Sequence, residues 1–310
     1  LFRSENVSNF NPYRRQWFYK TEFPVKTFRT VAKLFASVRP VKGLVVQGAF
    51  ALNYWQRKVE HHLCDRDLYR FTFDGPVLIR EGTVRTYIRR YNYQNTFRSS
   101  ELTARYDLSL GKLDASVFAG MSQEYNHYDR DYYRKYDLVD SSLTGIDAGT
   151  TNGEVSGTYD EWAMRSFFGR MNLSWDSKYF LEANMRADGS SRFAPGRRWG
   201  YFPSVSAAWR ISDEGFMRNA SVWLNQLKIR ASYGSLGNNA TTSLYMYQSL
   251  YSTANYVLNG TVVGGLAQTV LANPDLTWEK TYMADVGVDF SLLGNRLAGS
   301  IDFYNKDTKG

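Results

Sequence analysis

The 310-residue sequence holds one cysteine, Cys64, so no disulfide can close within it. Seven prolines stand against 24 glycines, which excludes a Pro-rich disordered chain. There are three histidines, His61, His62 and His127. That leaves little room for a Ser-His-Asp triad, and no Gly-x-Ser-x-Gly elbow is present to hold a nucleophile. His61, His62 and Cys64 lie close in sequence, but adjacent side chains diverge and no second ligand cluster follows. No metal site, cofactor or catalytic residue is expected. The acidic run at 129–142 lacks the Asp-x-Asp-x-Asp-Gly frame of a calcium loop. Gly234-Ser235-Leu236-Gly237 ends a strand pattern with no helix after it, so it is not a phosphate loop. No run of 18 apolar residues exists and the mean hydropathy is −0.45, which excludes a membrane-spanning helix. It does not exclude spanning strands, which need only about ten residues with every second one apolar. The opening Leu-Phe-Arg-Ser-Glu is not the basic start of a signal peptide.

Aromatic residues make up 16% of the chain, with 23 tyrosines, and favour strands. The net charge of +8 is uneven. Residues 1–100 carry 18 Lys and Arg against 7 Asp and Glu, and the rest carry 20 against 23. A basic region suits nucleic acid, anionic lipid, an acidic substrate or solvated loops. Nothing else points to nucleic acid, and none is expected as a partner.

Alternation is the dominant signal. Phe167, Gly169, Met171, Leu173 and Trp175 share one parity, and Phe168, Arg170, Asn172 and Ser174 the other. After Asp176-Ser177-Lys178 the pattern resumes with Tyr179, Leu181, Ala183 and Met185 against Phe180, Glu182, Asn184 and Arg186. Successive strand side chains point to opposite faces, so this is a hairpin with one apolar and one polar face. The same rhythm predicts about ten strands, near 28–39, 43–57, 96–110, 113–126, 162–175, 179–189, 202–211, 225–235, 277–290 and 297–308. Short connections at 40–42, 111–112, 176–178 and 291–296 alternate with long ones at 58–95, 127–161, 190–201 and 236–276. The connection at 212–224 is intermediate, with room for one helical turn. Short turns at one end and long loops at the other suit an outer-membrane barrel better than a soluble sandwich. Aromatics near the short turns, Trp175, Tyr179, Trp209 and Phe290, suit a lipid boundary or cross-strand packing. The charged parity suits solvent on an open sheet or a wet lumen.

The segment FFGRMNLSWDSKYFLEANMRADGSSRFAPGRRWGYFPSVSAAWRISDEGFM resembles the signature region of the SusC/RagA-type TonB-dependent outer-membrane transporters. LNQLKIRASYGSLGNN, NPDLTWEKT and NRLAGSIDFYNKDT resemble the family's later blocks, in order, and VRPVKGLVVQGAFALNY an earlier one. The resemblance implies an all-β antiparallel transmembrane barrel in the Gram-negative outer membrane, 22-stranded when complete. It implies import of oligosaccharides or oligopeptides, a SusD-like surface lipoprotein as lid, and energy from the TonB-ExbB-ExbD complex. Residues 1–310 then form part of the barrel, with the plug and the C-terminal strands lying outside this sequence. The alternative is a soluble or surface-attached β-rich carbohydrate-binding protein, with the apolar parity packed on a second sheet.

On this reading 186–202 is an outward loop. Its residues Arg186, Arg192, Trp199 and Tyr201 are the candidate ligand contacts, because rings stack on sugars and anchor partners. Tyr91, Tyr93, Tyr125, Tyr128, Tyr132, Tyr133, Tyr245 and Tyr247 are the other aromatics expected in loops.

Overall fold

The computed structural model describes residues 24–63, 68–72, 75–80, 85–140, 142–241 and 243–309. Fourteen strands run through them: β1 (Val25–Val38), β2 (Leu44–Leu63), β3 (Leu68–Thr72), β4 (Gly75–Arg80), β5 (Tyr87–Leu110), β6 (Leu113–Leu138), β7 (Gly149–Trp175), β8 (Tyr179–Ser190), β9 (Trp199–Arg210), β10 (Leu224–Asn238), β11 (Leu250–Leu258), β12 (Thr261–Val270), β13 (Glu279–Leu292) and β14 (Leu297–Lys309). Ten form one sheet in the order β1-β2-β5-β6-β7-β8-β9-β10-β13-β14. Each is a chain neighbour of the next, apart from two hairpins, β3-β4 and β11-β12, inserted in connections. The ten expected strands are all present. Among the described residues no helix is long and apolar enough to cross a membrane, which does not bear on strands.

The registers fix the two faces. Leu173 pairs with Leu181, Leu181 with Ala207, and Ala207 with Ala231. Ala231 pairs with Val286, and Val286 with Phe303. One apolar row thus crosses six strands, because one-residue slips would flip whole strands to the other face. The adjacent row runs Asn172, Glu182, Ser206, Ser232 and Asp285. Among the described residues no second layer packs against the apolar row: Val205 is 45% exposed, Trp175 52% and Ile301 54%. That overturns the sandwich alternative, which needs those side chains buried.

The short turns hold as expected. Asp176 and Ser177 both sit at φ 54°, the left-handed geometry that matches the twist of a two-strand hairpin. In the β13-β14 turn Leu293, Gly294 and Asn295 all have positive φ. The Asn225 side chain accepts from the backbone N–H groups of Gly294 and Asn295 and holds that turn. The intermediate connection carries two 3-10 segments, Ile211–Asp213 and Gly215–Ala220.

The long connections differ from expectation. β5 begins at Tyr87, β6 runs to Leu138 and β7 begins at Gly149, so most of 87–95 and 127–161 is strand. β5, β6 and β7 have 24, 26 and 27 residues, well beyond the 9–11 that cross a bilayer. Tyr91, Tyr93, Tyr125, Tyr128, Tyr132 and Tyr133 therefore stand on strands rather than in loops.

The chain divides into two compact units. The first lies within Leu52–Phe97 and His127–Asp160, with β1 up to Val31. The second comprises Ala32–Ala51, Arg98–Asn126 and the residues from Glu161 onward. In the second, the connection 191–198 turns onto the sheet. Phe193, 1% exposed, packs with Trp278, which in turn packs on Phe202. The Trp278 indole donates to the Arg198 carbonyl at 2.8 Å, and the Ser191 N–H to that of Ala163 at 2.9 Å. Phe202 lies across Gly200 and Gly237, where any side chain would collide with its ring.

Candidate binding surfaces on the sheet

In the second unit the apolar face ends in rings at both ends. Trp175, Tyr179 and Trp209 lie beside the short turns, with Tyr179 and Trp209 stacked at 6.3 Å. Phe167 and Trp199 stack at 5.9 Å at the other end, beside Tyr201. Eight residues separate Phe167 from Trp175, and ten separate Trp199 from Trp209. At about 3.3 Å per residue those are ~26 and ~33 Å along the strands. A tilt near 40° reduces them to roughly 20–25 Å of height, which fits the ~25 Å apolar band of a membrane barrel. Trp199 and Tyr201 share the parity of Val205, so they belong to this apolar face.

The polar face of the same unit is a run of bonded charges. Arg170 Nε donates to Asn184 Oδ1 at 2.7 Å, and Asn184 Nδ2 to Glu182 Oε1 at 2.8 Å. Arg186 Nε donates to Asp188 at 2.7 Å and its Nη2 to Ser166 Oγ at 3.1 Å. Arg230 bonds Asp285 and Asp289 at 3.3 Å each and also contacts Asp302. Two grooves run over this face, with volumes of about 610 and 780 Å³. Arg230 and Glu182 line the first, and Arg186 and Asn184 the second. Charges this dense, half-exposed and mutually bonded require a wet surface.

The four residues singled out from sequence do not converge. Arg186 is on the polar face. Arg192, in the 191–198 connection, lies over the Trp162 ring at 5.4 Å. Burial pushes its guanidinium pKa down, and its Nε has no hydrogen-bond partner among the described residues. Trp162 has the β7 parity of Ser166, so the two arginines belong with the polar face and the two aromatics with the apolar one.

The first unit holds a cluster that loop assignment concealed. Tyr87, Arg89, Tyr91 and Tyr93 fall on one parity of β5. Tyr128, Arg130, Tyr132, Arg134 and Tyr136 fall on one parity of β6. Tyr91 stacks on Tyr93 at 6.0 Å and Tyr93 on Tyr128 at 6.5 Å, and Tyr91 meets Tyr132 at 4.9 Å. The Arg89 guanidinium sits between the Tyr87 and Tyr91 rings at 5.4 and 5.3 Å, and Arg134 near Tyr87, Tyr132 and Tyr136. Tyr132 donates to Glu154 at 2.8 Å; burial and that bond push its hydroxyl pKa up to about 12. His61 Nδ1 meets Arg89 Nη2, which always carries its protons, so the imidazole accepts. Burial and the charges of Arg89 and Arg134 hold the His61 pKa down, in keeping with a neutral ring. Cys64 lies outside the described residues, and among those described no cluster of metal-ligating side chains occurs. The two-residue spacing of Tyr and Arg was the available signal for this patch, and it needs only the strand to be recognised as one.

The TonB dependent receptor-like β-barrel family model matches residues 2–310. The TonB-dependent receptor P26 of Formosa agariphila is 39% identical over 158 residues, 51% of this chain and 16% of that protein. The TonB-dependent receptor SusC of Bacteroides thetaiotaomicron is 30% identical over 245 residues, 74% of this chain and 24% of that protein. Among solved structures, the RagAB peptide importer in its closed-closed state superposes with a TM-score of 0.82 at 25% identity. That match covers 94% of this chain and 31% of the RagAB chain. The chain therefore spans no more than about a quarter of the curated relatives it matches.

Proposed function

The chain belongs to the TonB dependent receptor-like β-barrel family, and from that premise we propose that the complete protein imports nutrients across the outer membrane. The cargo is an oligosaccharide or oligopeptide, drawn through the lumen with energy relayed by TonB, ExbB and ExbD. A SusD-like surface lipoprotein lids the entrance. The observation that carries this reading is the two-faced sheet. An exposed apolar row crosses six strands between two tiers of aromatics, and a bonded, charged row lies on the reverse. The likeness to SusC and to the RagAB peptide importer supports it.

Residues 1–310 are then part of the barrel wall. In the ten-strand order β1 and β14 stand at the edges. Hydrocarbon does not tolerate unpaired backbone, so further strands of the complete protein pair with both. Arg186 and Arg192 act as ligand contacts on the lumen side, while Trp199 and Tyr201 work at the outer lipid boundary. Cargo moves without covalent change, driven by binding in the lumen and by displacement of a plug.

The test is genetic. A strain lacking the gene, and a second lacking TonB, are grown on single glycans and peptides as sole nutrients. Both are expected to lose growth on the same nutrient. Growth of both strains on every nutrient the parent uses contradicts import.

A further inference from the structure

We infer that the aromatic–arginine pocket of the first unit captures anionic sugars, carboxylated or sulfated. The inference rests on the import reading and narrows its cargo.

The pocket measures about 390 Å³ and is lined by Trp55, Arg57, His61, Tyr91, Tyr93 and Tyr128. Its walls are flat: Tyr91 and Tyr93 lie within 7° of parallel and Tyr93 and Tyr128 within 14°, with Trp55 6.0 Å from Tyr128. Rings of this kind stack on the apolar faces of pyranoses, and their hydroxyls reach sugar hydroxyls. β5 is bonded between β2 and β6, so no strand edge is open here for an extended peptide to join. Recognition falls to side chains alone, which favours a ring-shaped ligand.

The charge is the second observation. Arg57 is exposed at the pocket wall, Arg89 lies over the lining ring of Tyr91 and bonds the lining His61, and Arg134 lies next to the pocket over Tyr132, which meets Tyr91. Glu154, in contact with this group, already accepts from Tyr132, Tyr136 and Arg134, and the charge of Asp160 reaches the lining Tyr128. Among the described residues Arg89 forms no close ion pair, although, after the Tyr132 bond, its charge helps lower the Glu154 pKa, and the Nε atoms of Arg89 and Arg134 are buried without a hydrogen bond. A neutral His61 accepts from Arg89 through Nδ1 and adds no negative charge. Rings beside surplus guanidinium suit a sugar bearing a carboxylate or sulfate, which a guanidinium grips with two parallel bonds.

The complete barrel, purified in detergent, is titrated by calorimetry with four probes. These are a galacturonate tetrasaccharide, a sulfated galactan tetrasaccharide, a neutral galactan tetrasaccharide and a tetraglutamate peptide. At least one anionic sugar is expected to bind about tenfold tighter than the neutral one, and tighter than the peptide. Arg57→Gln is expected to weaken that binding about tenfold and to leave the neutral probe within about twofold. The anionic probe that wins shows whether carboxylate or sulfate is read. Arg57 is exposed, so folding is preserved, and an unchanged heat-dependent shift on SDS gels verifies it. Failure of both anionic sugars, equal binding of the neutral one, tighter binding of the peptide, or an unaffected Arg57→Gln overturns the inference. TonB-dependent growth that survives such a failure leaves import standing and removes only this site.

Discussion

Val205 pairs with Ala183 and Tyr233, while its neighbour Ser206 pairs with Glu182 and Ser232. One peptide unit separates a site that meets hydrocarbon from one that meets water. Arginine at position 205 must strip its hydration or drag water into the apolar band. Val205→Arg is expected to destabilise the complete barrel by about 2–4 kcal/mol, and Ser206→Arg by far less. Urea unfolding of the barrel in lipid vesicles measures both, and equal losses count against the facial assignment. The same parity explains why Trp199 and Tyr201 separate from Arg186. Read as loop residues, the four seemed one constellation. Once β9 is seen to begin at Trp199, alternation sends the rings and the guanidinium to opposite faces.

At the scale of elements, a clamp ties the β7-β8 turn to the connection after β9. Glu214, outside the spanning segments, accepts from the Tyr179 hydroxyl and from the Trp209 indole at 3.1 Å, with Lys178 nearby. The Tyr179 bond first, then that of Trp209, lowers the Glu214 pKa below its ordinary 4.5. A depressed carboxylate contributes stability that is fully present above the unfolded pKa and vanishes as pH falls through the folded one. Glu214→Gln is therefore expected to melt below the wild type at pH 7, with the gap closing as the pH drops past 4.5. A gap constant with pH contradicts the clamp. Strands were legible where one face is dry, as in 162–189, because alternation there is enforced by lipid. They were illegible where both faces are wet. Gly149–Asp160 of β7 is exposed on nearly every residue, so its side chains carry no period of two. The β11-β12 hairpin was missed for the same reason, since both parities of Leu250–Leu258 are exposed.

At the scale of the whole molecule, the sheet is a wall whose two faces meet different solvents. The family motifs near 167–217 conveyed the fold because they span turn, strand and inward-folded connection together. They conveyed little about ligand, because the Tyr and Arg rows lie on β5 and β6, outside those motifs. The most direct measurement is a nitroxide scan of β8 in the complete barrel, reconstituted in lipid vesicles. Labels go one at a time at positions 181 to 186, and collisions with oxygen and with a water-soluble nickel complex are compared. Oxygen maxima are expected at 181, 183 and 185 and nickel maxima at 182, 184 and 186, out of phase. Both probes reaching both parities alike would contradict the two-faced wall.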